Sequence, residues 1–206
     1  MYSECALTHL ALPSKQGAAC QYGNAYVSYL IKLLMENKIL TSDYLFDADL
    51  RIWARINYSG ISYSDGEEVE ARIAGIINKA SDISVLSAEL ASCCNDWPTT
   101  YHLSRKRANL LRPFENYLCG KSVLEIGAGC GAITRYLGEI GAKVLALEGS
   151  LRRAPIAASR CRDLANVTVI AEALHHLQPV RQFDVVTLIG VLEYDRKYFP
   201  SQGVDH

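Results

Sequence analysis

The stretch Leu124–Ala132, LEIGAGCGA, constrains this chain more than any other. It ends a short apolar run and at once presents Gly127, Gly129 and Gly131 in alternation, so a strand passes into a turn almost bare of side chains. Glycine at such a junction lets the backbone turn tightly and lets a ligand approach without a Cβ in the way. A rhythm surrounds it. SVLEIG, KVLALEGS, NVTVIAEA and FDVVTLIGVLEY read as strands, and AITRYLGEIG and LRRAPIAASRCRDL read as helices between the first three. Strands alternating with helices at this spacing imply right-handed βαβ units and a parallel sheet, hence an α/β fold.

The preceding sequence reads differently. VSYLIKLLMENKI puts Val27, Leu30, Ile31 and Leu34 on one helical stripe. SDGEEVEARIAGIINKA opens with Ser64 and Glu67 in capping-box register and carries Val69, Ile73, Ile76 and Ile77 on one face. A third short helix is expected after Ser87. TSDYLFDADLRIWARINYSGISYSDG, between the first two helices, is aromatic and acidic, shows no clean period and is left unassigned. Pro98 reads as a break, and Ser104 as the cap of a helix burying Ala108, Leu111, Phe114 and Leu118. The expected domains are a mainly helical region over residues 1–98 and an α/β region over 99–206.

Charge and cysteine usage exclude several functions. A formal net charge of −1 creates no global field to recruit nucleic acid or anionic membrane. Arg105, Lys106, Arg107 and Arg112 cluster on one segment and read as a solvated face, so no nucleic-acid partner is expected. The N-terminal residues lack the basic start and apolar length of a signal peptide, and no apolar run reaches the roughly 20 residues of a membrane span. Seven cysteines, odd in number and without a C-x-x-C pair, suggest reduced thiols and a cytoplasmic setting. His175 and His176 are adjacent and point to different faces, which makes a poor metal site; no metal is expected. Cys130 reads as a small loop filler.

In an open parallel sheet, ligands lie beyond the carboxyl ends of the strands, where Gly127, Gly129 and Gly131 sit. Gly127, Gly129 and Ala132 satisfy the dinucleotide pattern G-x-G-x-x-G/A, with Glu148 near the place of its ribose-binding acid. Glu125 argues against that cofactor, because a pyrophosphate on a helix N-terminus gains nothing from a carboxylate two residues upstream. A cofactor carrying an ammonium and a sulfonium does gain from one. EIGAGCG resembles the first motif of class I S-adenosylmethionine-dependent methyltransferases. The resemblance extends to Glu148 in VLALEGS, to Glu172 in AEA and to FDVVTLIGVLEY, in the order and spacing of that family.

The resemblance implies a Rossmann-like core, S-adenosyl-L-methionine as cofactor, and methyl transfer. It implies cofactor contacts at Glu125, Gly127, Ala128, Gly129 and Gly131, at Glu148 and Gly149 after the second strand, at Glu172 and Ala173 after the third, and at Gly190 after the fourth. Tyr101 and His102 would lie over the methionine end. Two carboxylate oxygens suit Glu148 to both ribose hydroxyls, although it could instead cap the following helix. Catalytic residues stay unassigned, with Glu193, Tyr194 and His102 as nominal bases; Tyr194 stands where the family usually has histidine. YSDGEEVE and WPTTYHLSRKRANLLRPF are similar to a segment preceding methyltransferase modules linked to bacterial glycosyltransferases, which implies a small-molecule or glycan acceptor. A non-catalytic cofactor-binding scaffold and a nicotinamide-dependent oxidoreductase are the alternatives. The family's sheet has seven strands and four are counted here, so FDVVTLIGVL is expected mid-sheet and the chain is expected to be part of a longer protein.

Overall fold

A computed structural model of the protein describes residues 43–62, 65–177 and 182–191. The helical stripe Val27–Leu34, Ser64 and the nominal bases Glu193 and Tyr194 lie outside the described residues. Six strands form one sheet: β1 (Tyr44–Asp47), β2 (Ile52–Arg55), β3 (Ser122–Ile126), β4 (Lys143–Glu148), β5 (Val167–Ala171) and β6 (Val185–Leu188), in the order β1-β2-β5-β4-β3-β6. From β2 to β6 every pairing is parallel; only β1 and β2 run antiparallel. Central β3 and β4 are buried on both faces, as their near-continuous apolar runs require of parallel strands. The helices are α1 (Glu67–Lys79), α2 (Ala88–Ser92), α3 (Trp97–Leu103), α4 (Glu115–Leu118), α5 (Ala132–Glu139) and α6 (Arg153–Arg160).

The unassigned aromatic stretch is the β1–β2 hairpin. It lies in the same compact unit as the rest of the sheet, so residue 98 does not separate a helical region from an α/β one. Trp53 and Ala54 of β2 pair with Ile170 and Ala171 of β5. The hairpin is also pinned electrostatically. Arg55 Nε lies 2.9 Å from Glu172 Oε2, and the Tyr44 hydroxyl donates to the same oxygen at 3.1 Å.

Local signals are refined in four places. Helix α1 is capped by Gly66 with no side-chain bond, while Ile73 and Ile77 are buried as the pattern requires. Ser87 caps α2 through the Leu90 amide. Pro98 does not break the chain; it sits in the first turn of α3, where its missing N–H costs nothing, and Asp96 and Thr99 form a capping box around it. The helix expected from Ser104 is two 3₁₀ segments (Arg105–Leu110 and Arg112–Phe114) followed by α4; Pro113 interrupts regular helix, and Phe114 is 55% exposed. At the far side, β6 pairs only with β3 among the described residues and leaves Val186 50% and Leu188 41% exposed. Among the described residues this strand is therefore an edge with part-exposed faces, not the buried mid-sheet strand expected.

Candidate functional site

A cleft of about 220 Å³ lies beyond the carboxyl ends of the parallel strands. Among the described residues, every cofactor contact expected from sequence lines it except Gly131 and His102. The glycine turn explains the absence of Gly131. Gly127, Gly129 and Gly131 have φ of 79°, 57° and 83°, the left-handed region that favours glycine. A Cβ on Gly129 would meet nothing within 4 Å, so its face is open to the cleft. A Cβ on Gly131 would fall 2.9 Å from the Ala157 Cα, so this glycine lets α5 pack against α6. Its role is packing, not lining.

The acids differ in what they already hold. Glu148, buried at the end of β4, accepts the Gly129 amide at 2.7 Å on Oε2 and the Ser150 amide at 2.8 Å on Oε1. Its pKa is raised by burial, against which those two amides act. Each oxygen keeps further lone-pair capacity, so the capping role and ribose binding are compatible. Glu125 is buried on β3, and its Oε2 has no hydrogen-bond partner. Burial, assisted by the charge of Glu148, pushes its pKa up to about 7. Glu172 is fully engaged: besides Tyr44 and Arg55, it accepts the Ala173 amide at 2.8 Å on Oε1 and meets His176 Nδ1 at 3.3 Å. Glu172 anchors the hairpin rather than offering a free carboxylate.

Tyr101 enters the cleft from α3, stacked on Trp97 with centroids 5.0 Å apart. Arg107 lies over the other aromatic partner, 4.1 Å from the Tyr101 centroid, and also lines the cleft. It is not on the solvated face that its basic run suggested. His102 does not reach the cleft. It is buried and bonded through Nε2 to Asp65 at 2.8 Å, away from the cleft lining, and burial lowers its pKa. Asp65 also pairs with Arg153 Nη2 at 2.6 Å, and Glu70 receives Arg153 Nε at 2.9 Å and Arg152 Nε at 2.8 Å. This buried network ties α1 to the start of α6, and Arg153 lines the cleft floor. Cys130 is buried with its thiol pKa pushed up by desolvation, consistent with a filler. Among the described residues no group of three His, Cys, Asp or Glu is placed to hold a metal ion. No helix among them is long and apolar enough to cross a membrane.

Sequence reasoning missed further lining residues, among them Ile61, Arg107 and Arg153. Ile61 comes from the unassigned stretch. Arg107 carried only a charge-run signal, which cannot tell solvent from cleft, and Arg153 carried none.

Comparison with known proteins agrees with this geometry. Residues 123–200 match the family described as methyltransferase domain. Ribosomal RNA small subunit methyltransferase A of Streptococcus pneumoniae is 38% identical over 80 residues, covering 35% of this chain and 28% of the relative. The chain thus spans less than a third of the length of the curated relatives it matches. Among solved structures, the 16S rRNA methyltransferase RmtF in complex with S-adenosyl-L-homocysteine aligns at a TM-score of 0.46 with 16% identity, covering 65% of this chain and 51% of that one. The N-terminal domain of EvdMO1 with SAH bound aligns at 0.38 with 30% identity, covering 45% and 41%. The expectation that excluded nucleic acid is overturned, since the curated relative is itself an RNA methyltransferase. That expectation rested on net charge, which says nothing about local contacts, and on reading the basic cluster as a solvated face. Over residues 123–200 this chain is therefore similar to methyltransferase domains, in agreement with the motifs that resemble the class I, S-adenosylmethionine-dependent family.

Proposed function

We propose that the cleft binds S-adenosylmethionine and that the protein of which this chain is part transfers its methyl group to an acceptor. The observation that carries the reading is Glu125: a buried carboxylate with an unpartnered oxygen, placed in the cleft directly before the glycine turn. An ammonium group relieves that oxygen's desolvation, whereas a phosphate would be repelled by it. Glu148 takes the ribose hydroxyls while keeping the Gly129 turn in place, and the open face of Gly129 admits the cofactor backbone-close. The bound cofactor supplies an electrophilic methyl on positive sulfur. The protein's part is orientation and exclusion of water, through Glu125, Glu148, Tyr101 and the glycine turn.

The acceptor is the finer question. The similarity around WPTTYHLSRKRANLLRPF favours a small molecule or glycan, and the ribosomal RNA relative favours RNA. Titration calorimetry with S-adenosylmethionine and with NAD tests the cofactor, with heat expected for the first alone; binding of NAD alone overturns the reading. Release of S-adenosylhomocysteine in the presence of glycans, small metabolites or ribosomal RNA fragments then identifies the acceptor.

A further inference from the structure

We infer that Ile61 forms the apolar wall against which the cofactor's adenine stacks, so that a strap from the N-terminal hairpin completes the nucleoside site. The inference rests on the proposed cofactor. If Glu148 holds the ribose, the base lies next to it, beyond the β4–β5 pair where Glu148 and Ala171 are register partners. The residue that follows Glu148 is Gly149, which offers no side chain to cover a flat ring. Its missing side chain is replaced from elsewhere. A Cβ built on Gly149 would fall 2.5 Å from Ile61 Cδ1 and 2.8 Å from Cγ1, so Ile61 occupies that space and lines the cleft.

The strap is fixed there by two bonds to one acceptor. Ile61 donates its N–H to the Gly149 carbonyl at 3.0 Å, and the Tyr58 hydroxyl donates to the same oxygen at 2.6 Å. Gly60, at φ 78°, makes the bend that brings Ile61 over the strand end. Ile61 nevertheless remains 38% exposed, and Leu174, lining the same cleft after β5, is 46% exposed. Two large apolar side chains left part-uncovered in a cleft suit a planar ring, whose faces are apolar and whose edges carry its polar atoms.

The test uses the 206-residue chain and two ligands: S-adenosylhomocysteine, and methylthioadenosine, which keeps the nucleoside and lacks the amino-acid tail. Ile61→Ala is expected to weaken both by the same factor, about tenfold for the carbons removed from an apolar pocket. Ile61→Val should lose much less. Gly149 lies outside the left-handed region, so alanine suits its backbone. Gly149→Ala alone should displace Ile61 and weaken both ligands, whereas I61A/G149A, in which the new methyl refills the space, should recover affinity relative to I61A. Unchanged affinities in a folded I61A protein overturn the inference, as does a loss confined to S-adenosylhomocysteine, which would place Ile61 at the tail. A wild-type chain that binds neither ligand overturns the cofactor reading itself.

Discussion

Gly129 donates its backbone N–H to the Glu148 carboxylate at 2.7 Å, so the turn after β3 and the acid at the end of β4 are held in register by one charged bond. Glu148→Gln keeps the shape but can present only one acceptor oxygen to two amides and two ribose hydroxyls. Cofactor affinity should fall at least tenfold, about 1.4 kcal/mol, by calorimetry. The melting temperature should fall as well, since one buried amide loses its acceptor at about 1–3 kcal/mol. A variant with unaltered affinity would leave Glu148 as a turn-holder alone.

Glu125 makes stability depend on pH. With its carboxyl at about 7 in the fold against an ordinary 4.5, the folded chain holds a proton that the unfolded chain has released. Stability therefore falls as pH rises from about 4.5 to about 7, by about 3 kcal/mol at 1.36 kcal/mol per pH unit. Urea unfolding at pH 5 and pH 8 should show this loss in the wild type and a flatter profile in Glu125→Gln. Cofactor binding at pH 6 should release a proton, read as a dependence of the calorimetric heat on buffer ionisation enthalpy.

Two glycines of one turn should respond differently to alanine. Gly131→Ala drives a methyl toward the Ala157 backbone and forces α5 from α6, so the melting temperature should drop by several degrees. Gly129→Ala meets open space and bears only left-handed backbone strain of roughly 1–2 kcal/mol, so it should stay folded and lose cofactor affinity. Equal effects of the two on both readouts would contradict this division.

The Arg55–Glu172 pair should couple the hairpin to β5. Arg55→Met leaves the buried Glu172 carboxylate with less compensation and should increase proteolysis between residues 56 and 62. Combining it with Glu172→Gln should cost less than the sum of the two singles. Additive effects would mean that the pair does not hold the hairpin.

The parallel core was legible because its signals are local: apolar runs, helical periods and a glycine turn all lie within a few residues of one another. Glu125 and Glu148 adjoin those local signals, whereas Tyr101 was expected at the cleft only from the family resemblance. The hairpin was not legible, because Trp53 earns its strand from Ile170, far along the chain. The partners that Glu172 holds besides lining the cleft, Tyr44 and Arg55, were not legible either, because they come from that same stretch. Pro98 misled in the other direction: a residue that ends helices also starts them, and only the Asp96–Thr99 cap tells which.

The hairpin's attachment also sets an order of events during synthesis. Tyr44 and Glu172 stand 128 residues apart, so the hairpin leaves the ribosome roughly 6–26 s before its docking strand at ordinary elongation rates. A two-stranded hairpin is marginal alone in water, and it must wait for β5 to exist. The wall carried by Ile61 therefore cannot form until β5 has emerged, although its own residues are made long before. Pulse-labelled hydrogen exchange on nascent chains should show β3 and β4 protected before residues 52–61, and nucleoside affinity should arrive only with the latter.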